Sequence, residues 1–250
     1  MARGTAALAY SYFLYWLKKE DLYSQQSPFI FSLYQGLVEH LALKRNLNED
    51  PTNLASSYFC APTSPLGQAR THPEGKHSNL YWKPTQKGIT LLAYFCSQTP
   101  GQQVLEIGTG NGAVTRGLER LPLGKLYSLE EDQDLWKKAL AKGNPATNYL
   151  WGKAEERLPE LLEGLGQLDF VFVNSHHSKP ALLNVIDLCM PKLHSNSILA
   201  IAHIHRSSEL EQAWVEIQAD PRVRLSIDFF DYGLVWFAYP GTKTHLILDT

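Results

Sequence analysis

The chain is poor in cysteine and has little net charge. It has three cysteines in 250 residues, at positions 60, 96 and 189, where they form neither a disulfide framework nor a zinc motif. This usage fits a reducing compartment, so we expect a cytoplasmic protein. The formal net charge is −2 at pH 7, which gives no general electrostatic attraction to nucleic acid or to anionic membranes.

The N-terminal apolar run is too short to span a membrane. Residues 6–17 follow Arg3 in the manner of a secretory signal, but tyrosines and a tryptophan interrupt them and Lys18-Lys19-Glu20-Asp21 comes next. No small-residue cleavage site follows, and a bilayer needs about 20 apolar residues. We therefore predict an aromatic helix that packs on the main domain, with one face formed by Tyr10, Phe13, Leu14 and Leu17.

Apolar periodicity divides the chain into a helical extension, a polar segment and an alternating α/β region. Residues 1–45 are predicted to be helical, with a second helix at about 29–43 that begins after Pro28. Residues 46–80 are rich in Asn, Ser, Thr, Pro, Gly and His, and predict an irregular lid. Strands are expected at 103–107, 125–130, 148–151, 168–174, 197–204, 223–230 and 234–239, with a further short strand at 245–248. We therefore divide the chain at residues 1–80 and 81–250.

Residues 104–112, with the sequence VLEIGTGNG, are the most informative segment. An apolar strand runs into a turn with three glycines, which let the backbone turn sharply and approach a ligand closely. A dinucleotide fingerprint would place the third glycine one residue later. A dinucleotide also places a pyrophosphate at this turn, whereas here Glu106 lies beside it.

This combination resembles motif I of the class I S-adenosylmethionine (SAM) methyltransferases. SAM has no phosphate and carries a sulfonium and an amino group, which a nearby carboxylate stabilises. The resemblance implies a Rossmann-like, doubly wound, seven-stranded sheet with a reversed C-terminal strand, preceded by the helical extension. It implies that SAM is the cofactor and is bound by Glu106, Gly108, Thr109, Gly110, Asn111 and Gly112.

The ends of the second and third strands offer further cofactor contacts, because ligands bind at the carboxyl ends of the strands of such sheets. Glu130 is placed to accept both ribose hydroxyls, and Glu131 follows it; a solvated acidic turn is the alternative.

The family often has an acid where Lys153 stands, facing the adenine amino group. A lysine cannot accept that hydrogen bond, so we expect backbone groups and apolar contacts near Ala154 to hold adenine, unless Lys153 is an exposed loop residue.

The fourth and fifth strands resemble those of the metal-dependent, catechol-type O-methyltransferases and their bacterial relatives. The matching segments are LDFVFVNSHH at 168–177 and SILAIAHIH at 197–205. Asn174 stands where that family has its first metal-binding aspartate, and Ala202 and His203 stand where it has its second acidic pair. Because Mg²⁺ requires hard anionic oxygen ligands, we predict no Mg²⁺ site and assign Asn174 to the cofactor side.

Four histidines follow these two strands, where the methyl acceptor is expected. They are His176, His177, His203 and His205. Neutral imidazole can take a proton from a hydroxyl or thiol group near pH 7, and we hypothesise that His177 or His205 is the general base. The alternatives are local hydrogen bonds within loops and a zinc or nickel site built from these histidines.

The sequence therefore predicts a SAM-dependent methyltransferase that acts on a small-molecule acceptor, most readily at oxygen and without Mg²⁺. Asn174-Ser175-His176-His177 matches only the first residue of the Asn/Asp-Pro-Pro-Tyr segment of amino-methyltransferases, so no nucleic-acid base is expected. Two alternatives stay open: a SAM-binding protein that has lost catalysis, and an NAD(P)-dependent oxidoreductase. We expect no membrane partner, and the oligomeric state stays open, a homodimer included.

Overall fold

A computed structural model describes residues 5–48, 84–174 and 178–249. Two helices precede the α/β region, α1 (Thr5–Lys18) and α2 (Pro28–Asn48), and the segment from 49 to 83, with most of the predicted lid, lies outside the described residues. The helices that follow are α3 (Gln86–Ser97), α4 (Ala113–Leu118), α5 (Gln133–Leu140), α6 (Ala154–Gly164), α7 (Lys179–Cys189) and α8 (Ser208–Ala219). The strands are β1 (Gln103–Ile107), β2 (Lys125–Glu130), β3 (Asn148–Trp151), β4 (Leu168–Val173), β5 (Leu193–Ala202), β6 (Leu225–Asp228), β7 (Tyr232–Trp236) and β8 (Thr244–Ile247).

The strands form one sheet in the order β3-β2-β1-β4-β5-β7-β6-β8. Strands β1 to β5 pair in parallel with one another, and β7 pairs antiparallel with both β5 and β6. The predicted doubly wound sheet with a reversed strand near the C-terminus is confirmed, but it has eight strands and not the seven expected. The short strand predicted at 245–248 forms as β8 and extends the sheet beyond β6 in parallel. Strand order reverses between β1 and β4, which is where ligands bind in such sheets.

Two apolar layers cover the sheet. On one face, α2, α3 and α4 pack through residues such as Leu37, Phe95 and Leu118. On the other face, α6, α7 and α8 pack through residues such as Leu158 and Val185. All six residues of β4 are buried, as expected for a central parallel strand that is covered on both faces.

The connection between β6 and β7 differs from the prediction. The sequence suggested a turn at Asp231-Tyr232-Gly233, but Tyr232 and Gly233 belong to β7 and pair with the end of β5. The chain reverses through Phe229, Phe230 and Asp231 instead. Phe230 has a φ of 66°, a conformation that is rare for a bulky residue and hard to anticipate from its side chain.

Helix α1 docks through a different face from the predicted one. Ser11 and Tyr15 are buried, whereas Tyr10, Phe13 and Leu17 are more than half exposed. The Tyr15 hydroxyl donates a 2.5 Å hydrogen bond to the Leu248 carbonyl. The contact therefore depends on the polar end of one tyrosine as well as on apolar area. No helix in the described ranges is long and apolar enough to cross a membrane.

The loop before β2 packs closely against the backbone before β1, and a substitution in this loop can test that contact. A Cβ on Gly124 would lie 2.5 Å from the Gln102 carbonyl oxygen, whereas a Cβ on Gly164 would have no heavy atom within 4 Å. We expect Gly124→Ala to lower the free energy of unfolding by roughly 2 kcal/mol, as overpacking does. The matched variant Gly164→Ala should change it by less than about 1 kcal/mol. Urea denaturation measures both, and equal effects would contradict the packing described here.

Candidate active site

The glycine turn joins β1 to α4 at the carboxyl edge of the sheet. Gly108, Gly110 and Gly112 have φ values of 95°, 56° and 72°, which non-glycine residues rarely adopt. The Gly108 N–H donates to the Leu129 carbonyl at 2.8 Å, which ties the turn to the end of β2. A Cβ on Gly110 would have no heavy atom within 4 Å, so this part of the turn faces open space.

The other two residues of the turn, Thr109 and Asn111, stabilise its shape. The Thr109 hydroxyl lies 2.6 Å from the Ser128 hydroxyl. The Asn111 side-chain oxygen accepts a hydrogen bond from the Ala113 N–H at 3.0 Å at the start of α4. Both side chains therefore make contacts within the protein. Their backbone lies on either side of Gly110, where the turn faces open space.

Glu106 is fully buried between β1, β2 and α4. Its Oε2 accepts hydrogen bonds from Thr115 at 2.5 Å and from Ser128 at 2.7 Å. Its Oε1 is buried and has no hydrogen-bond partner among the described residues. Burial raises the pKa of Glu106 to about 7, although the two hydroxyl donors act to lower it. The site therefore holds a carboxyl group with one unused acceptor atom.

Glu130 ends β2 and contacts the same turn. Its Oε2 accepts a 2.6 Å hydrogen bond from the Gly110 N–H, and its Oε1 accepts one from the Asp132 N–H at 3.0 Å. Burial raises its pKa above the ordinary value, while these two backbone donors act to lower it. Each oxygen keeps a second lone pair, so the carboxylate can still accept hydrogen bonds from a ligand.

The residues predicted beside the adenine have different environments. Glu131 is exposed, and its carbonyl accepts a 3.2 Å hydrogen bond from the Trp151 indole. Lys153 is also exposed and lies 3.9 Å from Glu156. Ala154 is buried at the first position of α6. The structure thus brings Ala154 to the strand edge and leaves Glu131 and Lys153 facing solvent.

Asn174 links the end of β4 to the glycine turn. Its backbone N–H donates to the Ile107 carbonyl at 2.8 Å, and its side-chain amide donates to the Gly108 carbonyl at 3.2 Å. The amide therefore has a role in holding the turn that an aspartate, which has no donor, could not fill.

Two of the four candidate histidines can be placed. His176 and His177 lie outside the described residues, whereas His203 and His205 both follow β5 at the carboxyl edge. His203 is buried with a φ of 64°, and its N–H donates to the Asp231 carbonyl at 2.7 Å. In the described ranges, no three His, Cys, Asp or Glu side chains form a group that could hold a metal ion.

His205 lies between two carboxylates. Its Nδ1 is 3.0 Å from Glu211 and its Nε2 is 2.7 Å from Asp228. The ring also stacks on Phe230, with centroids 5.1 Å apart. Burial lowers the pKa of His205, but the hydrogen bonds and charges of Asp228 and Glu211 outweigh burial and raise the pKa overall. Both ring nitrogens of His205 therefore face carboxylate oxygens, which favours the protonated form of the ring.

Several residues of this edge were not anticipated from the sequence. Ser128 and Asp228 each lie between two apolar or aromatic neighbours in a strand, a pattern that could have indicated buried hydrogen bonding. Thr115, Glu211 and Asp231 carry no such signal, because polar residues are ordinary in helices and connections. Their roles depend on which elements the fold brings together.

The buried carboxyl of Glu106 predicts a specific pH dependence. Its folded-state pKa is about 7, above the unfolded value of about 4.3, so its contribution to stability is present at low pH and is lost as pH rises to 7 and beyond. Between pH 5 and pH 8 the ligand-free protein should lose roughly 3 kcal/mol through this group. Glu106→Gln should remove this loss.

The measurement is urea denaturation of both proteins at the two pH values. Thr115 and Ser128 are unchanged in the variant, so the difference between the two proteins isolates the carboxyl group. A wild-type minus variant difference that does not change with pH would contradict the buried, raised-pKa carboxyl.

Comparison with known proteins agrees with this architecture. Residues 105–203 match the family model described as "Methyltransferase domain". This range begins in β1, includes the glycine turn and ends at His203. No curated protein matches the chain.

Several solved structures with the same fold are described as methyltransferases. A putative O-methyltransferase from Klebsiella pneumoniae aligns with a TM-score of 0.52 and 20% identity over 64% of this chain and 83% of its own. The O-methyltransferase from Bacillus cereus in complex with SAH aligns with a TM-score of 0.53 and 18% identity, over 62% of this chain and 82% of its own. An SAH-bound methyltransferase of Podospora anserina aligns with a TM-score of 0.50 and 14% identity, over 81% of this chain and 88% of its own. Residues 105–203 thus match a methyltransferase domain, and the chain shares its fold with these methyltransferases.

Proposed function

We propose that the protein transfers the methyl group of SAM to an oxygen atom of a small acceptor and does so without Mg²⁺. The observation that carries the proposal is the glycine turn, where three left-handed glycines and the two carboxyl groups of Glu106 and Glu130 meet at the strand-order reversal. SAM supplies an electrophilic methyl carbon on a sulfonium sulfur. The chain itself must bind that cation, orient the acceptor and receive a proton.

The residues at the turn fit this cofactor. The open space at Gly110 is where a side chain would obstruct a ligand. The unused Oε1 of Glu106 can accept a hydrogen bond from an amino group. The free lone pairs of Glu130 can accept the ribose hydroxyls. Ala154 provides an apolar contact for adenine, and backbone groups at the ends of β2 and β3 provide its hydrogen bonds, because Lys153 is exposed and lacks an acceptor.

Charge at the turn favours SAM over a nicotinamide dinucleotide. Ionised Glu106 and Glu130 attract the sulfonium and amino groups of SAM, whereas both would repel a pyrophosphate at the same place. Two of the structures with this fold are described as SAH complexes, which supports the same assignment.

The acceptor is proposed to lie at the ends of β4 and β5. Asn174, Ala202 and His203 occupy this edge and offer an amide, a methyl group and an imidazole, none of them a hard anionic ligand for Mg²⁺. Helix α1 reaches the same edge, since the Tyr12 and Phe230 ring centroids are 4.9 Å apart. We infer that α1, within the extension at 1–80, forms part of the acceptor pocket of the catalytic domain at 81–250.

We propose a histidine as the general base, and the contacts of His205 argue against His205 in this role. His205 has both nitrogens next to carboxylates, and a base needs a free lone pair. The role therefore falls first to His177, which follows β4. In the reaction the acceptor oxygen attacks the methyl carbon, the carbon–sulfur bond electrons remain on sulfur, and the hydroxyl proton moves to the imidazole.

Cofactor choice can be tested at Gly110. SAM and SAH should raise the melting temperature of the wild-type protein, because they bind the folded state, and NAD and NADP should not. Gly110→Val should weaken SAH binding by at least tenfold, because its side chain would fill the open space. Calorimetry measures that affinity, and Gly164→Ala serves as a matched control. Stabilisation by NAD or NADP alone would contradict SAM as cofactor.

Catalysis can be tested with a panel of phenols and aliphatic alcohols in the presence of EDTA. Methyl transfer should persist in the chelator. His177→Ala should lower kcat by about 100-fold, the usual contribution of a general base. His205→Gln should act mainly through loss of stability. SAM binding without turnover of any acceptor would instead support a protein that has lost catalysis, and inhibition by EDTA would disprove metal independence.

A further inference from the structure

Asp231 lies at the carboxyl edge beside the end of β5. Because β7 runs antiparallel to β5, its first residue, Tyr232, pairs with the last residue of β5, Ala202. Asp231 precedes that pair, and its carbonyl accepts the 2.7 Å hydrogen bond from the His203 N–H. The β6–β7 connection thus brings a carboxylate to a strand end that itself offers only Ala202 and His203.

The backbone around Asp231 is fixed by neighbouring side chains. Phe230 has a φ of 66° and His203 a φ of 64°, a backbone conformation that is unfavourable for residues other than glycine. Asp228 accepts a 2.7 Å hydrogen bond from the Phe230 N–H through Oδ1 and contacts His205 through Oδ2. The His205 ring covers Phe230 in a stack tilted by 15°. These contacts hold the connection in one conformation and so fix the position of Asp231.

Asp231 is partly buried, and its carboxylate accepts no hydrogen bond from a described residue. Burial raises its pKa to about 6, while His205 and Lys87 act to lower it. A ligand donor at this position would therefore meet a carboxylate with unused acceptor capacity.

Net charge at this edge indicates the kind of ligand. The carboxylates of Asp228, Glu211 and Asp231 outnumber the cationic groups of His205 and Lys87 that act on them. An acceptor with its own carboxylate would meet repulsion here. An acceptor with a protonated amine would find both a negative field and an unused hydrogen-bond acceptor.

We propose that Asp231 binds the methyl acceptor and that this acceptor carries a protonated amine, which pairs with the Asp231 carboxylate. This inference rests on the proposed function, because that function places the acceptor at the ends of β4 and β5. It adds the chemical class of the acceptor and a residue that selects it. His205 acts here as a positioning residue through Phe230.

The test uses two phenols of similar size and opposite charge, 4-hydroxybenzylamine and 4-hydroxybenzoate. Each is titrated by calorimetry into the full chain saturated with SAH. The wild-type protein should bind the amine at least tenfold more tightly than the carboxylate. Asp231→Asn should bind the amine at least tenfold more weakly than the wild type and lose the preference, with SAH affinity unchanged. Asp187→Asn, which removes an exposed carboxylate on α7, is the matched control and should behave as the wild type.

The outcomes separate this inference from the proposed function. Failure of the wild-type protein to bind SAH, measured first, would count against the methyltransferase proposal. With SAH bound, a preference for the benzoate, no binding of either probe, or an Asp231→Asn protein that binds the amine as tightly as the wild type would overturn the role of Asp231. If Asp231→Asn does not fold, as judged by circular dichroism, Asp231→Ser replaces it, and the wild-type preference between the probes remains decisive.

Discussion

The hydrogen bond between the Gly110 N–H and the Glu130 carboxylate, 2.6 Å long, joins the glycine turn to the end of β2 and sets the geometry of the cofactor side. Gly110 presents its N–H at a φ of 56°, and β2, which is adjacent to β1, supplies the carboxylate. Asn174 fixes the turn from the opposite neighbour, β4. The turn is therefore held from both sides, while a Cβ on Gly110 would meet no heavy atom within 4 Å. This is the preorganisation that lets a site bind a ligand without first paying to order a loop.

Charge divides the site into two parts with different tasks. On the cofactor side, Glu106 and Glu130 lie under or beside the turn and favour a cationic ligand. On the acceptor side, His205 is surrounded by Asp228 and Glu211 and serves to hold Phe230 and Asp231 in place. A histidine whose two nitrogens both contact carboxylates is suited to stabilising a structure and poorly suited to accepting a proton. For this reason we propose His177, and not His205, as the general base.

Local pattern was sufficient for β1, β2, β3 and the glycine turn, whereas β5, expected at 197–204, spans Leu193–Ala202. β1, β2 and β3 occur at the predicted residues, because short apolar runs bounded by turns define such strands. The β6–β7 connection was displaced, because the left-handed conformation of Phe230 is stabilised by Asp228 and His205, which are distant in sequence. The docked face of α1 was also different, because one hydrogen bond from Tyr15 to Leu248 matters more there than apolar periodicity. For the same reason Glu211 and Asp228 could not be assigned to His205 in advance: only the packing of α8 and β6 against the end of β5 brings them together.

The account depends most on where SAM binds, and a crystal structure of the protein grown with SAH tests this most directly. It should show the ribose hydroxyls at Glu130, the amino group on the side of Glu106, and the sulfur atom near Gly110 and directed towards the ends of β4 and β5. SAH bound elsewhere, or a turn at Gly108–Gly112 that is closed by protein side chains with no ligand in it, would contradict the account.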